Sequence, residues 1–390
     1  MKPEGFKDAR LRKPLIRPMK GLEIDYTLHG LFIFIWELII MHMADALISP
    51  AVGGTMWAAA AGAAAYSMKK IRDDMDEKRI PLMGVMGAFV FAAQMINFSI
   101  PGTGSSGHIG GGILLSVLLG PYAAMLTMAS VLLIQALFFA DGGLLAYGCN
   151  VFNLGVLTCF IAYPLVYRIF IRKGYSVKRI FTASIFSAVA GLQLGAFSVV
   201  LETLFSGKTE LPFGTFVMLM QPIHLAVGIV EGLVTAAVVS FLWKARPEII
   251  AMGDSGQVPG SMPMKRILIG FAAAAVITGG ILSWFASSDP DGLEWSVAKL
   301  SGRDTLAVSY GIHRVFSEFQ SRIAIMPDYS FRDSERMKKQ NTDPGKEQWP
   351  AANGAASAAG LIGGFATIAL AVLLGLLFSI LKRIKKRTSS

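Results

Sequence analysis

The chain has 390 residues, 53% of them hydrophobic and 16% charged, with a mean hydropathy of +0.54. Apolar runs long enough to cross a bilayer recur along it, which excludes a soluble domain and predicts an all-α polytopic membrane protein. The net charge of +10 gathers at the ends of those runs, where the positive-inside rule places it, so it does not point to nucleic acid; Cys149 and Cys159 are too few for a disulfide framework.

Residues 1–40 stand apart from the rest. The stretch Lys2 to Lys20 is basic and broken by prolines, and the apolar patch from Leu28 to Ile40 is short for a membrane crossing. A secretory signal should end in small residues, whereas this patch ends Trp36-Glu37-Leu38-Ile39-Ile40. The codons for Trp36-Glu37 must read TGGGAR, a purine-rich string resembling a ribosome-binding site just upstream of the Met41 codon. The expectation is that residues 1–40 are a mis-assigned upstream extension or an N-terminal leader, and that the protein proper opens at Met41.

Met41-His42-Met43 then heads the first long apolar stretch. A terminal amine, the next backbone nitrogen and the imidazole of a second-position His form adjoining chelate rings around one ion. With a fourth nitrogen, that set suits a square-planar divalent metal such as Ni(II). The chelate requires a free amine on Met41.

Spans are expected at 51–69, 81–99, 108–121, 122–140, 150–171, 180–204, 216–243, 266–286 and 358–381. With Met41 outside, the inner connections Lys69–Arg79, Arg168–Arg179 and Lys244–Lys265 and the tail from Leu381 are all basic, in accord with the positive-inside rule. The loop from Asn97 through Gly102, Gly104, Ser106 and Gly107 to His108 permits close backbone approach and carries no Lys, so it reads as a scaffold presenting one imidazole. His42 and His108 fall at the same membrane face, in a chain with five His, which favours a shared ligand pair. Asp141-Gly142-Gly143 with Asn150 and Asn153 forms a second polar group at that face. His224 and Glu231 lie on one face of the seventh span, where they either pair with each other or neighbouring helices, or approach the metal. Met83, Met86 and Met95 read as core packing rather than thioether ligands.

The C-terminal span 266–286 leads into a polar outer segment, 287–357, containing Pro290–Glu294, His313, Met326-Pro-Asp-Tyr and the mixed-charge run Arg332–Lys346. A segment of this size folds only marginally alone, so it is expected to dock on the preceding spans. His313 is a candidate relay ligand. No Gly-x-x-x-x-Gly-Lys-Ser/Thr motif occurs, so energy must come from partners or an ion gradient.

The Met41-His-x-x-Asp45 opening, the Asn97-Phe to Gly-His108 loop, Ala140-Asp-Gly-Gly, Asn150-Val-Phe-Asn and His224-x-x-x-Gly-x-x-Glu231-Gly-Leu-x-Thr235, taken in order, resemble the CbiM/NikM substrate-capture component of energy-coupling-factor cobalt/nickel importers. Ser288-Asp-Pro-Asp-Gly-Leu-Glu294 between two spans resembles the PDGLE or NikN-type module often fused to it. The resemblance implies about seven capture helices over 41–250 and a two-helix accessory module over 251–390. It implies that the Met41 amine, His42 and His108 bind the ion, with Asp45, Asn97, Ser106, Asp141, Asn150, His224 and Glu231 as supporting polar groups. It further implies Ni2+ or Co2+ as the transported ligand, no cofactor, a separate transmembrane coupling component and cytoplasmic ATPases. The chain is then a transporter subunit of a prokaryotic cell membrane, not an enzyme. Two features depart from the pattern: the extension, and Thr103-Gly104-Ser105-Ser106 where a Gly-Thr-Ser run is more usual. The alternative is a stand-alone secondary metal transporter; a membrane-embedded hydrolase lacks both a nucleophile motif and a His-Glu-x-x-His pattern.

Overall fold

The computed structural model describes residues 42–74, 79–208, 210–255, 263–302, 311–331 and 353–388. The expectations for residues 1–40, Met41 and Arg332–Lys346 therefore lie outside the described residues.

In chain order the helices are α1 (Pro50–Asp74), α2 (Ile80–Gln94), α3 (Gly112–Leu119), α4 (Pro121–Phe139), α5 (Tyr147–Ile171), α6 (Val177–Phe205), α7 (Phe213–Ala245), α8 (Pro247–Ser255), α9 (Met264–Gly280), α10 (Gly292–Ser301), α11 (Ile312–Ile323) and α12 (Gly354–Thr388). Their starts follow from local chemistry. Pro121 sits in the first turn of α4, where its missing N–H costs nothing. Ser176 caps α6 by accepting the Arg179 N–H, and Asp291 opens α10 in a reciprocal capping box with Glu294. Within α5, residues Phe152–Tyr167 wind as a wider π-helix around Pro164.

Among the described residues six helical segments are long and apolar enough to cross a membrane: Pro121–Phe139, Tyr147–Ile171, Val177–Phe205, Phe213–Ala245, Met264–Phe285 and Gly354–Leu376. Large apolar side chains such as Leu165, Phe205, Met218, Phe241, Phe365 and Leu373 remain exposed on them, as a lipid-facing belt requires. Three predicted spans need correction. The first, 51–69, forms helix α1, but its many Ala and Gly residues leave it less apolar than the six, and it is not among them. The third, 108–121, is the eight-residue α3, about 12 Å long by its helical rise and wholly buried. Gly110–Gly112 delays its start and Gly120-Pro121 ends it, so it is a half-helix inside the bundle rather than a crossing. The second stops at Gln94, five residues before the predicted Ser99, and gives way to a short antiparallel hairpin. That hairpin pairs β1 (Phe98–Ile100) with β2 (Ser105–Gly107), Ser99 opposite Ser106.

Small residues set the helix contacts. Gly228 and Gly232, one turn apart on α7, lie against the Val189 and Ile185 backbone of α6; a Cβ on Gly228 would stand 2.8 Å from Val189 Cα. On the other side of the bundle Gly360 of α12 meets Gly279 of α9, and Gly87 of α2 faces Thr367 of α12. Arg79, Gly120, Gly253, Tyr175 and Asp254 collect at one end: Arg79 Nη2 donates to the Leu119 carbonyl at the foot of α3, and Tyr175 donates to Asp254 at 2.9 Å. The β1–β2 hairpin, the turn after α4 and the polar C-terminal segment occupy the opposite end, and the site lies there.

Candidate metal centre

His42 lies just ahead of α1, 4% exposed. The backbone beside it is clamped: Asn150 of α5 accepts the Met43 N–H at 3.0 Å and donates to the Met43 carbonyl at 3.2 Å, while Gly143 N–H donates to the same carbonyl at 3.0 Å. Asp45 accepts the Ala146 N–H at 2.9 Å and fits only because Gly143 has no Cβ. Helix α4 ends in a left-handed Ala140, φ 55°, which turns Asp141 out of the helix and toward His42. His42 Nδ1 then pairs with Asp141 Oδ1 at 2.9 Å, and the other carboxylate oxygen accepts the Tyr329 hydroxyl at 2.6 Å. Burial works against a protonated imidazole here, but the Asp141 charge and hydrogen bond outweigh it and hold His42 above its ordinary value. Burial likewise opposes the Asp141 carboxylate, and the His42 and Tyr329 contacts reverse that, holding it below its ordinary value.

The His42 and His108 rings stand 5.3 Å apart, centre to centre. His108 follows β2, and its Nδ1 lies 3.1 Å from the Ile109 carbonyl. The next turn is fixed by Glu231 of α7, whose carboxylate accepts the N–H groups of Gly110 at 2.7 Å and Gly111 at 3.2 Å. Gly111 has φ 79°, the left-handed conformation that lets both N–H groups face one carboxylate. Gln94 donates to the Gly110 carbonyl from the far side at 2.8 Å. Both imidazoles line a cavity of about 90 Å³ with Asn150, Asn153, His224 and Asp291. His42 Nε2 is buried without a hydrogen-bond partner among the described residues. Two imidazoles at one cavity supply the kind of donor that a nitrogen-preferring divalent ion takes.

Among the described residues no three His, Cys, Asp or Glu side chains gather closely enough to cage an ion. A complete donor set would have to draw on backbone or terminal nitrogen. The chelate expected from the sequence closes through His42 Nδ1, and in the structure that atom faces Asp141.

The C-terminal segment covers this cavity. Ser287 N–H donates to Asn97 O at 2.8 Å, Ser106 N–H to Pro290 O at 2.7 Å, and the Ser106 hydroxyl to Asp289 O at 2.7 Å. Further out, Gln320 donates to Ala136 O and Gly142 O, and Ile325 and Met326 N–H both reach Phe138 O. The described parts of the segment, 287–302 and 311–331, are thus bonded to the preceding region.

A family model described as a cobalt uptake substrate-specific transmembrane region matches residues 42–249, more than half of the chain, and a PDGLE domain model matches residues 265–380. The chain belongs to the CbiM family. Over 210 residues it is 38% identical to a Haloquadratum walsbyi protein named for metal transport, covering 54% of this chain and 93% of that one. It is 34% identical over 225 residues to the fused nickel transport protein NikMN of Rhodobacter capsulatus, covering 54% and 64% respectively. It is 30% identical over 214 residues to the cobalt transport protein CbiM of Sorangium cellulosum, covering 54% and 94%. The protein is thus a multi-pass membrane component of cobalt and nickel transport type, related to prokaryotic metal transport proteins.

Within this CbiM-family chain, several sequence expectations change. His224 and Glu231 do not pair: His224 Nδ1 lies 2.8 Å from the Met220 carbonyl and its ring lines the cavity, whereas Glu231 holds the glycine turn. Asn97 contributes its backbone carbonyl to the C-terminal segment. His313 is not a relay group in the cavity; it is buried, and its Nε2 lies 2.9 Å from the Ile48 carbonyl, tying α11 to the start of the capture region. Asp291 and Tyr329 were missed as site residues. Their contacts span more than 180 positions in sequence, and only the Pro-Asp-Gly-Leu-Glu and Met-Pro-Asp-Tyr motifs signalled them.

Proposed function

We propose that the chain is the metal-capturing subunit of an ATP-driven importer of the energy-coupling-factor type, for Ni2+ and/or Co2+. Residues 41–250 act as the capture domain and residues 251–390 as its accessory module. The observation that carries this reading is the buried His42 imidazole beside His108, in a cavity that Asp291, Gly292 and Leu293 of the C-terminal segment also line.

The ion is captured by the Met41 amine, the His42 amide nitrogen and imidazole, and His108. Capture moves His42 Nδ1 from Asp141 to the ion and releases two protons to water, one from the imidazole and one from the His42 amide. Asp45 and Asn150 fix the backbone on which the chelate is built, and Glu231 holds the turn that presents His108. Ser106, with the Asn97 carbonyl, keeps the accessory segment closed over the cavity. Nitrogen donors disfavour Mg2+ and Ca2+, which take oxygen ligands. Reorientation against a separate transmembrane coupling component then delivers the ion inward, with ATP hydrolysed by cytoplasmic subunits.

The test is uptake of Ni2+ and Co2+ into proteoliposomes. Uptake that needs partner subunits and ATP is the expected result. Uptake by this chain alone would instead establish the secondary-transporter alternative.

A further inference from the structure

We propose that Asp291, the acidic residue of the Pro290–Glu294 turn, is the counter-charge of the captured ion, supplied to the nitrogen site by the C-terminal module. The proposal rests on the reading of the His42–His108 cavity as the ion site.

Asp291 is 5% exposed and lines the same cavity as His42, His108 and His224. Its carboxylate is fixed rather than mobile: Oδ1 accepts the Glu294 N–H at 2.8 Å, and Glu294 Oε2 accepts the Asp291 N–H at 3.3 Å. Its backbone is registered to the loop that presents His108, through a parallel bridge with Ser106 and the Ser106 N–H bond to Pro290 O. Gly292 lets the turn settle onto α7, where an added Cβ would stand 2.5 Å from Ile223 Cγ2, next to His224. The carboxylate is therefore held over the site by three separate elements: β2, α7 and its own helix.

The chemistry of the cavity calls for such a group. The imidazole donors are neutral, and a deprotonated His42 amide cancels only one positive charge, so part of a divalent charge is left uncompensated in a place removed from water. Helix α10 worsens this, because its N-terminus directs the positive end of a helix dipole at the cavity. A carboxylate at the N-cap of that helix reverses the local sign and places negative charge beside the cavity. Asp141 pairs with His42 Nδ1, whereas Asp291 itself lines the cavity.

A helix cap alone would also explain an Asp at this position, so the test separates cap from charge. Asn and Ser cap helices about as well as Asp, and both are neutral. Ni2+ binding is titrated on the full-length chain in detergent by competition with a chromophoric chelator, for wild type, Asp291→Asn, Asp291→Ser and His108→Ala. Thermal unfolding midpoints are measured without metal. The expected result is a Ni2+ affinity about 10–100-fold weaker in both Asp291 variants, with midpoints like wild type. Wild-type affinity in the Asp291 variants, with binding lost in His108→Ala, would overturn the assignment and leave the nitrogen site standing. Wild-type affinity in His108→Ala would overturn both.

Discussion

Tyr329 reaches from the C-terminal segment to the carboxylate that holds His42, and its backbone is strained to do so. Asp328 and Tyr329 have φ of 49° and 56°, and Ala140, next to Asp141, has φ of 55°. The Tyr329 ring stacks on Phe139 at 4.9 Å, so Tyr329→Phe keeps the packing and removes only the hydroxyl. Without that donor Asp141 becomes a stronger acceptor for the His42 proton, which the ion must displace. Tyr329→Phe should therefore weaken Ni2+ binding at neutral pH by up to about tenfold, read by the same competition titration. The pH dependence follows from the same pair. Asp141 raises His42 above its ordinary 6.5, and His42 lowers Asp141 below its ordinary 3.8. The ion needs the unprotonated ring, so affinity should fall as pH drops through the raised His42 value. The ion pair's contribution to metal-free stability moves the other way at that edge. On the His42 side it is complete below 6.5 and lost as pH rises through the raised value; on the Asp141 side it is lost only as pH falls through the lowered value. Binding and unfolding measured across neutral pH should thus show opposite slopes.

Elements that stop short of crossing the membrane build the site. Half-helix α3 and the β1–β2 hairpin together carry His108 and the Gly110–Gly111 turn, and Glu231 on the long α7 holds that turn. Glu231→Gln keeps the side-chain shape but removes a charged acceptor from two buried N–H groups, a loss of about 1.5–3 kcal/mol for a hydrogen bond to a charged group. Its expected outcome is a lower unfolding midpoint together with lost Ni2+ retention, since His108 is no longer held. The long helices were legible in the sequence because hydropathy and basic flanks repeat over a bilayer's length. His42, His108 and Asp141 were legible because ionisable groups stand out in apolar surroundings. The half-helix was not, since Ile113–Leu119 is as apolar as any crossing and only the flanking glycines and Pro121 shorten it. Nor were the partners of Glu231 and His313: both bond to backbone groups, which leave no mark in the side-chain pattern.

At the scale of the molecule, the proposed accessory module contributes residues to the lining of the candidate site. It supplies Asp291 to the cavity, Tyr329 to Asp141 and the His313 tether to Ile48. Its helices α9 and α12 pack through Gly279 and Gly360, and α12 lies against α2. Deleting 251–390 should leave a membrane-inserted capture domain that no longer retains Ni2+ on washing; unchanged uptake would remove the module's functional role. The measurement that bears most directly on the account is native mass spectrometry of the protein purified from its own membranes after exposure to trace Ni2+ and Co2+. The account predicts a polypeptide beginning at Met41 that carries one ion and loses it in His42→Ala. A polypeptide beginning at Met1, or one that retains no ion, would contradict the terminal-amine site.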